Sequence, residues 1–284
     1  MTNESAIDDF CSRVNGRDYR LLIWVPPVAP PPGGFPVLWV LDGSAYFGLA
    51  VDMVRNRGLL GAEITPAVVV GVTYPSEDIS VWMTRRYEDL NATPTGGERF
   101  AYGAPTGGIE SFLDMLADEA LPRVESRARI DRGRMAIVGH SLGGHAVLHT
   151  LFTRPALFSS YVAISPSIWW HGGELLRHEE GFKAAVESRG CAARVFIGVG
   201  GLEQTLYEPR PGLENVDLER ANAMIAQAFI IERAEALAAR LQAFGAAAGL
   251  DVRYTCFPGE THMSVPFAAW RQAMDHALPF GSPP

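Results

Sequence analysis

A chain of 284 residues, 48% apolar and 20% charged, with a formal net charge of −8, has the material for a large buried core. It lacks the Lys and Arg surplus that binding nucleic-acid phosphates requires. Its apolar stretches are short and broken by Gly, Pro or charge, far below the roughly 20 residues that span a bilayer, so neither nucleic acid nor membrane is an expected partner.

Tyr19 to Val25 reads as a buried strand ended by Pro26-Pro27. A Pro/Gly loop leads to a second strand, Val37 to Leu41, ended by Asp42-Gly43. That loop is too short for a helix, so the spacing predicts an antiparallel hairpin at a sheet edge. Ala67 to Val72 follows as a third strand. Ile109, Phe112, Leu113, Leu116 and Leu121 recur at helical spacing. Strands are predicted over Met135 to Val138, Tyr161 to Ile164, Val195 to Val199 and Val252 to Phe257. Helical spacing returns at Ile230, Ala234, Leu237, Leu241 and Phe244, and at Phe267, Trp270, Met274 and Leu278. Strands alternating with helices imply an α/β domain over residues 1–284, with a mostly parallel central sheet and helices on both faces. Ser76 to Gly108 and Gln204 to Val216 are polar and break the alternation; both are predicted as irregular loops, a class that is often functional.

The cysteines Cys11, Cys191 and Cys256 lie far apart with no Cys-x-x-Cys pair, which argues against a disulfide framework or a zinc site. Met1 to Arg13 carries Glu4, Asp8 and Asp9 and lacks the apolar region of a secretory signal. A reducing, cytoplasmic setting without metal or cofactor is therefore expected.

Gly139-His140-Ser141-Leu142-Gly143 fits the G-x-S-x-G nucleophile elbow. The pattern alone is weak, but the strand Met135 to Val138 runs straight into it and the helix-like His145 to Leu148 follows. A sharp strand-to-helix turn leaves room only for tiny neighbours, which Gly139, Gly143 and Gly144 supply. Ser141 is the expected nucleophile. A serine hydroxyl needs a base, and in this fold the order along the chain is Ser, acid, His. Of the seven histidines, only His262 and His276 follow the last predicted strand, Val252 to Phe257. His276 sits inside a helical pattern, whereas His262 lies in a turn just after Val252 to Phe257, at a strand's C-terminal end, where such folds place their sites. His262 is the expected base. Glu203 is the first carboxylate after the strand that ends at Gly200-Gly201, and is the expected acid; Glu208, Glu214 and Asp217 are farther along the loop and stand as alternatives. For the oxyanion, the Leu142 backbone N–H is one expected donor and the N–H of Gly43 or Ser44 the second.

With these residues in place, the chain resembles the "Putative esterase" family of α/β hydrolases, in particular its siderophore branch, which cuts trilactone catecholates. The resemblance spans nearly the whole chain and rests on Val40-Leu41-Asp42-Gly43, Arg85-Arg86-Tyr87, Gly139 to Gly144, Ser165-Pro166-Ser167-Ile168-Trp169-Trp170, Val199 to Gln204 and Gly259-Glu260-Thr261-His262. It implies an α/β-hydrolase fold and places the triad on Ser141, Glu203 and His262, in agreement with the reading above. Where the siderophore branch carries Arg-x-x-Asp-Tyr-Thr-Pro, this chain has Arg86-Tyr87-Glu88-Asp89-Leu90. Trp82, Arg86, Trp169 and Trp170 are the candidate substrate-binding residues, suited to stack on and pair with a planar anionic ligand. The expected activity is a serine esterase working through an acyl-enzyme on small-molecule esters of siderophore type. A general short-chain acyl esterase or an acyltransferase needs the same residues. A catalytically dead binding protein is the third reading, opposed by the presence of Ser, Glu, His and the glycines in their expected contexts.

Overall fold

The structure is a computed structural model, which describes residues 5–94, 106–206, 208, 214 and 217–280. Eight strands form one sheet: β1 Ala6–Cys11, β2 Asp18–Trp24, β3 Phe35–Val40, β4 Val68–Thr73, β5 Ile130–His140, β6 Ser160–Ile164, β7 Ala193–Gly200 and β8 Leu250–Phe257. Their order is β1-β2-β4-β3-β5-β6-β7-β8. β1 and β2 run antiparallel to each other, as do β2 and β4, and every pairing from β4 across to β8 is parallel.

The expected hairpin between Tyr19–Val25 and Val37–Leu41 is not formed. β4 lies between β2 and β3, and β3 pairs in parallel with β4 (Val37 beside Val68) and β5 (Val37 beside Met135). The reason is burial: every residue of β3 is buried, which requires a strand on each side and a helix layer on each face. The edge hairpin is instead β1–β2. β1 was not expected, because its acids Asp8 and Asp9 interrupt any apolar run. Charge suits an edge strand, where it blocks pairing with another chain, and Asp9 accepts two hydrogen bonds of 2.7 Å from Arg20 on β2.

Helices cover both faces. On one side α3 Ile109–Met115, α5 Leu142–Thr153, α7 Glu179–Arg189 and α9 Ile230–Gly245 bury Phe112, Leu151, Phe182 and Leu241 against the sheet. On the other, α1 Gly43–Met53 and α10 Val265–Ala277 bury Val51, Trp270 and Met274. Each such side chain contributes about 1.5–3 kcal/mol of burial. This is the mostly parallel α/β sheet with helices on both faces that the alternation implied, and the α/β-hydrolase fold that the resemblance implied.

The segment Ser76 to Gly108 is not wholly irregular, since α2 spans Ile79–Asp89, capped by Asp78, whose side chain accepts the Ser80 N–H at 2.8 Å. Residues 95–105 of that segment, and 207, 209–213, 215 and 216 of the second expected loop, lie outside the described residues. Because β3, β5, β7 and β8 are parallel, the chain segments leaving them, at Asp42, Ser141, Gly201 and Pro258, gather along one edge of the sheet.

Candidate active site

The turn between β5 and α5 holds Ser141 at φ 60°, ψ −116°, a conformation that costs a non-glycine residue about 1–3 kcal/mol. Two contacts from the end of β6 hold it there. Ser141 N–H donates to the Ile164 carbonyl at 2.9 Å, and Ser167 N–H donates to the Ser141 carbonyl at 3.1 Å. Gly139 permits the turn, because a Cβ there would lie 2.3 Å from the Gly143 backbone. Leu142 begins α5, so its N–H is among the first-turn amides that lack an intrahelical acceptor.

His262, in the loop after β8, accompanies Ser141 on the wall of one cavity of about 610 Å³. Its Nδ1 lies 2.7 Å from Glu203 Oε2. Since an ionised carboxylate only accepts, Nδ1 carries the proton and Nε2 is left as the basic nitrogen. The other Glu203 oxygen accepts from the Gly200 N–H at 2.6 Å and from the Ser165 hydroxyl, so the buried carboxylate has its donors supplied. The Ser141 hydroxyl rests 3.4 Å from the Ser167 hydroxyl. Asp217 caps α8 (Leu218–Ala228) by accepting from the Arg220 N–H. Glu208 borders the cavity, and Glu214 is exposed. His276 lies on α10, with Nε2 3.2 Å from the Asp251 carbonyl.

Beside His262 stands His140, which sequence reasoning passed over as the variable position of the elbow. Its Nε2–H donates to the His262 carbonyl at 2.8 Å, and its Nδ1 accepts from the Tyr46 hydroxyl at 3.0 Å. Burial, with smaller contributions from His262 and Arg86, pushes its pKa well below the ordinary histidine value and so keeps it neutral. Burial likewise pushes Tyr46 up to about 12.

Three of the four expected substrate-binding residues border the cavity. Arg86 borders the cavity while it also holds Asp42: Nε and Nη2 donate to the two oxygens of Asp42 at 2.8 and 2.9 Å, Nη2 reaches the His140 carbonyl at 3.0 Å, and Nη1 takes no part in these contacts. Trp82 is not on the cavity wall; the Arg86 guanidinium lies over its ring, 5.5 Å from the centroid. Trp169 and Trp170 do border the cavity. Met224 and Ile225 of α8, which no sequence signal connected with the site, border it too. Gly43 and Ser44 open α1 but do not border the cavity. Gly43 packs against β4, where a Cβ would lie 2.8 Å from the Gly71 backbone, and Ser44 is exposed. Leu142 is on the wall.

Comparison with known proteins agrees with this layout. Residues 12–280 match the family described as "Putative esterase". The chain is 33% identical over 204 residues to the ferri-bacillibactin esterase BesA of Bacillus subtilis, with 68% of each chain covered. It is 32% identical over 238 residues to the siderophore enterobactin esterase of Emericella nidulans, covering 80% of this chain and 77% of that one. Among solved structures, siderophore hydrolase EstA from Aspergillus nidulans matches with a TM-score of 0.80 and 27% identity, over 95% of this chain and 92% of that one. The BES protein from Bacillus cereus matches with a TM-score of 0.79 and 26% identity, over 98% and 97%.

Proposed function

This chain belongs to the "Putative esterase" family and is a serine esterase of the siderophore-esterase branch, and from that premise we propose that it hydrolyses siderophore-type esters, such as trilactones of catechol-bearing hydroxyacids, with Ser141 as nucleophile, His262 as base and Glu203 as orienting acid. The observation that carries the assignment is the joint placement of a backbone-strained Ser141 and a Glu203-bound His262 on one cavity. Ser141 Oγ attacks the ester carbonyl while its proton passes to His262 Nε2. The tetrahedral oxyanion forms against the Leu142 N–H at the positive end of α5. Collapse breaks the ester C–O bond, and the leaving alkoxide takes the proton from His262. Water then gives a proton to His262, attacks the acyl-Ser141 carbonyl, and the serine leaves with that proton restored. Glu203 holds Nδ1–H throughout and stabilises the imidazolium that forms twice per cycle.

The cavity wall supports an aromatic substrate. Trp169, Trp170 and Tyr87 supply aromatic side chains and Met224 and Ile225 apolar ones, and flat aromatic groups bind such walls by stacking and apolar burial.

The test is a set of p-nitrophenyl esters of rising acyl length beside a catecholate trilactone, metal-free and ferric, with products separated by chromatography. Cleavage of the trilactone to linear trimer, dimer and monomer with kcat/KM above that of the p-nitrophenyl esters is the expected result. Turnover of short acyl esters alone would remove the siderophore reading and leave a general esterase.

A further inference from the structure

We propose that the Ser167 hydroxyl is a second catalytic hydroxyl of this site, donating a hydrogen bond to Ser141 Oγ as that oxygen attacks and leaves, and that the buried His145–Glu174 pair positions it. The proposal rests on Ser141 being the nucleophile.

Three observations converge on Ser167. Its side chain is 4% exposed yet borders the cavity, and its Oγ lies 3.4 Å from Ser141 Oγ. Its N–H donates to the Ser141 carbonyl at 3.1 Å, so the two residues are joined by backbone as well as by side chain. Proton counting then fixes the direction of the hydroxyl contact. Ser141 has one hydroxyl proton, and attack delivers it to His262 Nε2, so only the Ser167 proton is left to occupy the gap between the two oxygens. No proton is transferred from Ser167. Its O–H stays intact and its hydrogen bond strengthens as Ser141 Oγ gains alkoxide character, on attack and again when the acyl group departs.

The carbonyl of Ser167 faces His145, whose Nδ1–H donates to it at 3.1 Å. His145 is fully buried, one turn into α5. Its Nε2 lies 3.6 Å from Glu174 Oε1, and both atoms are buried without a hydrogen-bond partner among the described residues. Two buried acceptors facing each other are costly, and an N–H placed between them would satisfy one of them. The remaining Glu174 oxygen accepts from the Thr93 hydroxyl. Glu174, His145 and Ser167 thus form a buried line ending at the nucleophile, and none of the three belongs to the acid–base pair described above.

Ser167→Ala is expected to lower kcat about five- to tenfold for any ester, the fold-change of one lost hydrogen bond, with KM within twofold and the melting temperature unchanged. The rate of covalent labelling of Ser141 by an organophosphate should fall by the same factor. Ser167→Thr, which keeps a hydroxyl, should recover most of both rates. Glu174→Gln, which offers an N–H to His145 Nε2 and an oxygen to Thr93, should stay near the parent, whereas Glu174→Leu should lose kcat in the manner of Ser167→Ala. Parental kcat and labelling in Ser167→Ala, while Ser141→Ala is inactive, would overturn the proposal and leave the nucleophile assignment standing. An active Ser141→Ala would overturn both. A fall in Ser167→Ala that Ser167→Thr does not recover and that accompanies a lower melting temperature would make Ser167 structural and overturn the proposal as well.

Discussion

Arg86 grips Asp42 through two nearly equal hydrogen bonds, 2.8 and 2.9 Å long, with both side chains shut away from solvent. Asp42 leaves β3 in the left-handed region at φ 55°, so the ion pair fixes an unfavourable backbone turn beside the nucleophile elbow. Arg86→Ala should therefore destabilise the fold by about 3–5 kcal/mol, the cost of leaving a buried charge alone. KM for anionic and neutral aromatic esters should shift together. Chemical denaturation beside paired Michaelis curves checks this; a selective rise in KM for the anionic ester would restore Arg86 as a binding residue.

Ser141→Ala should reduce turnover on the order of 10⁶-fold with the fold intact. Ser141→Gly should be equally inactive but more stable than the parent by about 1 kcal/mol, because glycine adopts the observed dihedral angles without strain. Urea midpoints of the three proteins decide it. A Gly variant weaker than the Ala variant would mean that the strain is not stored at this residue.

Glu203→Gln should slow catalysis less than His262→Ala, since orienting a base is secondary to being one. Asp217→Asn should leave turnover unchanged, as its side chain caps α8, and should cost stability only slightly because Asn also caps. If either Glu208→Gln or Asp217→Asn slows turnover more than Glu203→Gln, the acid lies elsewhere.

Four buried histidines, His140, His145, His149 and His276, have pKa values lowered chiefly by burial, His145 to about 4. Below their ordinary value of 6.5 the unfolded chain takes up protons that the folded chain refuses. Stability should therefore fall as pH drops from 6.5 toward the depressed values. Asp89, pushed up by burial to about 6, acts in the opposite sense between its ordinary 3.8 and that value, one group against four. Urea unfolding at about pH 7.5 and about pH 5 measures the net slope, and His145→Asn should flatten it. Equal stability at both pH values would mean that the buried rings titrate normally.

The parts of the fold and site that local signals encode were legible. The parallel strands appeared as continuous apolar runs, and Ser141, Glu203 and His262 stood at strand ends beside glycines that only tight turns need. What escaped was long-range. β3 gave no sign that β4 would insert beside it, because pairing order is decided by which face of which strand needs cover. α1 is apolar nearly all round and lacks a capping side chain, so neither periodicity nor a start signal announced it. The ion pair of Arg86 gave no sign, because its partner Asp42 lies 44 residues away. Ser165 and Ser167 appeared only as letters of a shared motif, since a hydroxyl's role depends on what faces it. Met224 and Ile225 meet the cavity only through the placement of α8.

The hydrogen bonds of His140 bear on how this protein can be re-engineered. A library aimed at new substrates would naturally randomise the middle letter before the nucleophile, the position treated as free in G-x-S-x-G. Here that letter ties the loop of His262 to α1 by way of Tyr46, so most replacements would loosen the base before they changed the pocket. Leu206, Met224 and Ile225 border the same cavity and make no hydrogen bond to the acid–base pair. They are the positions at which sequence diversity can be spent on specificity while the chemistry is left alone.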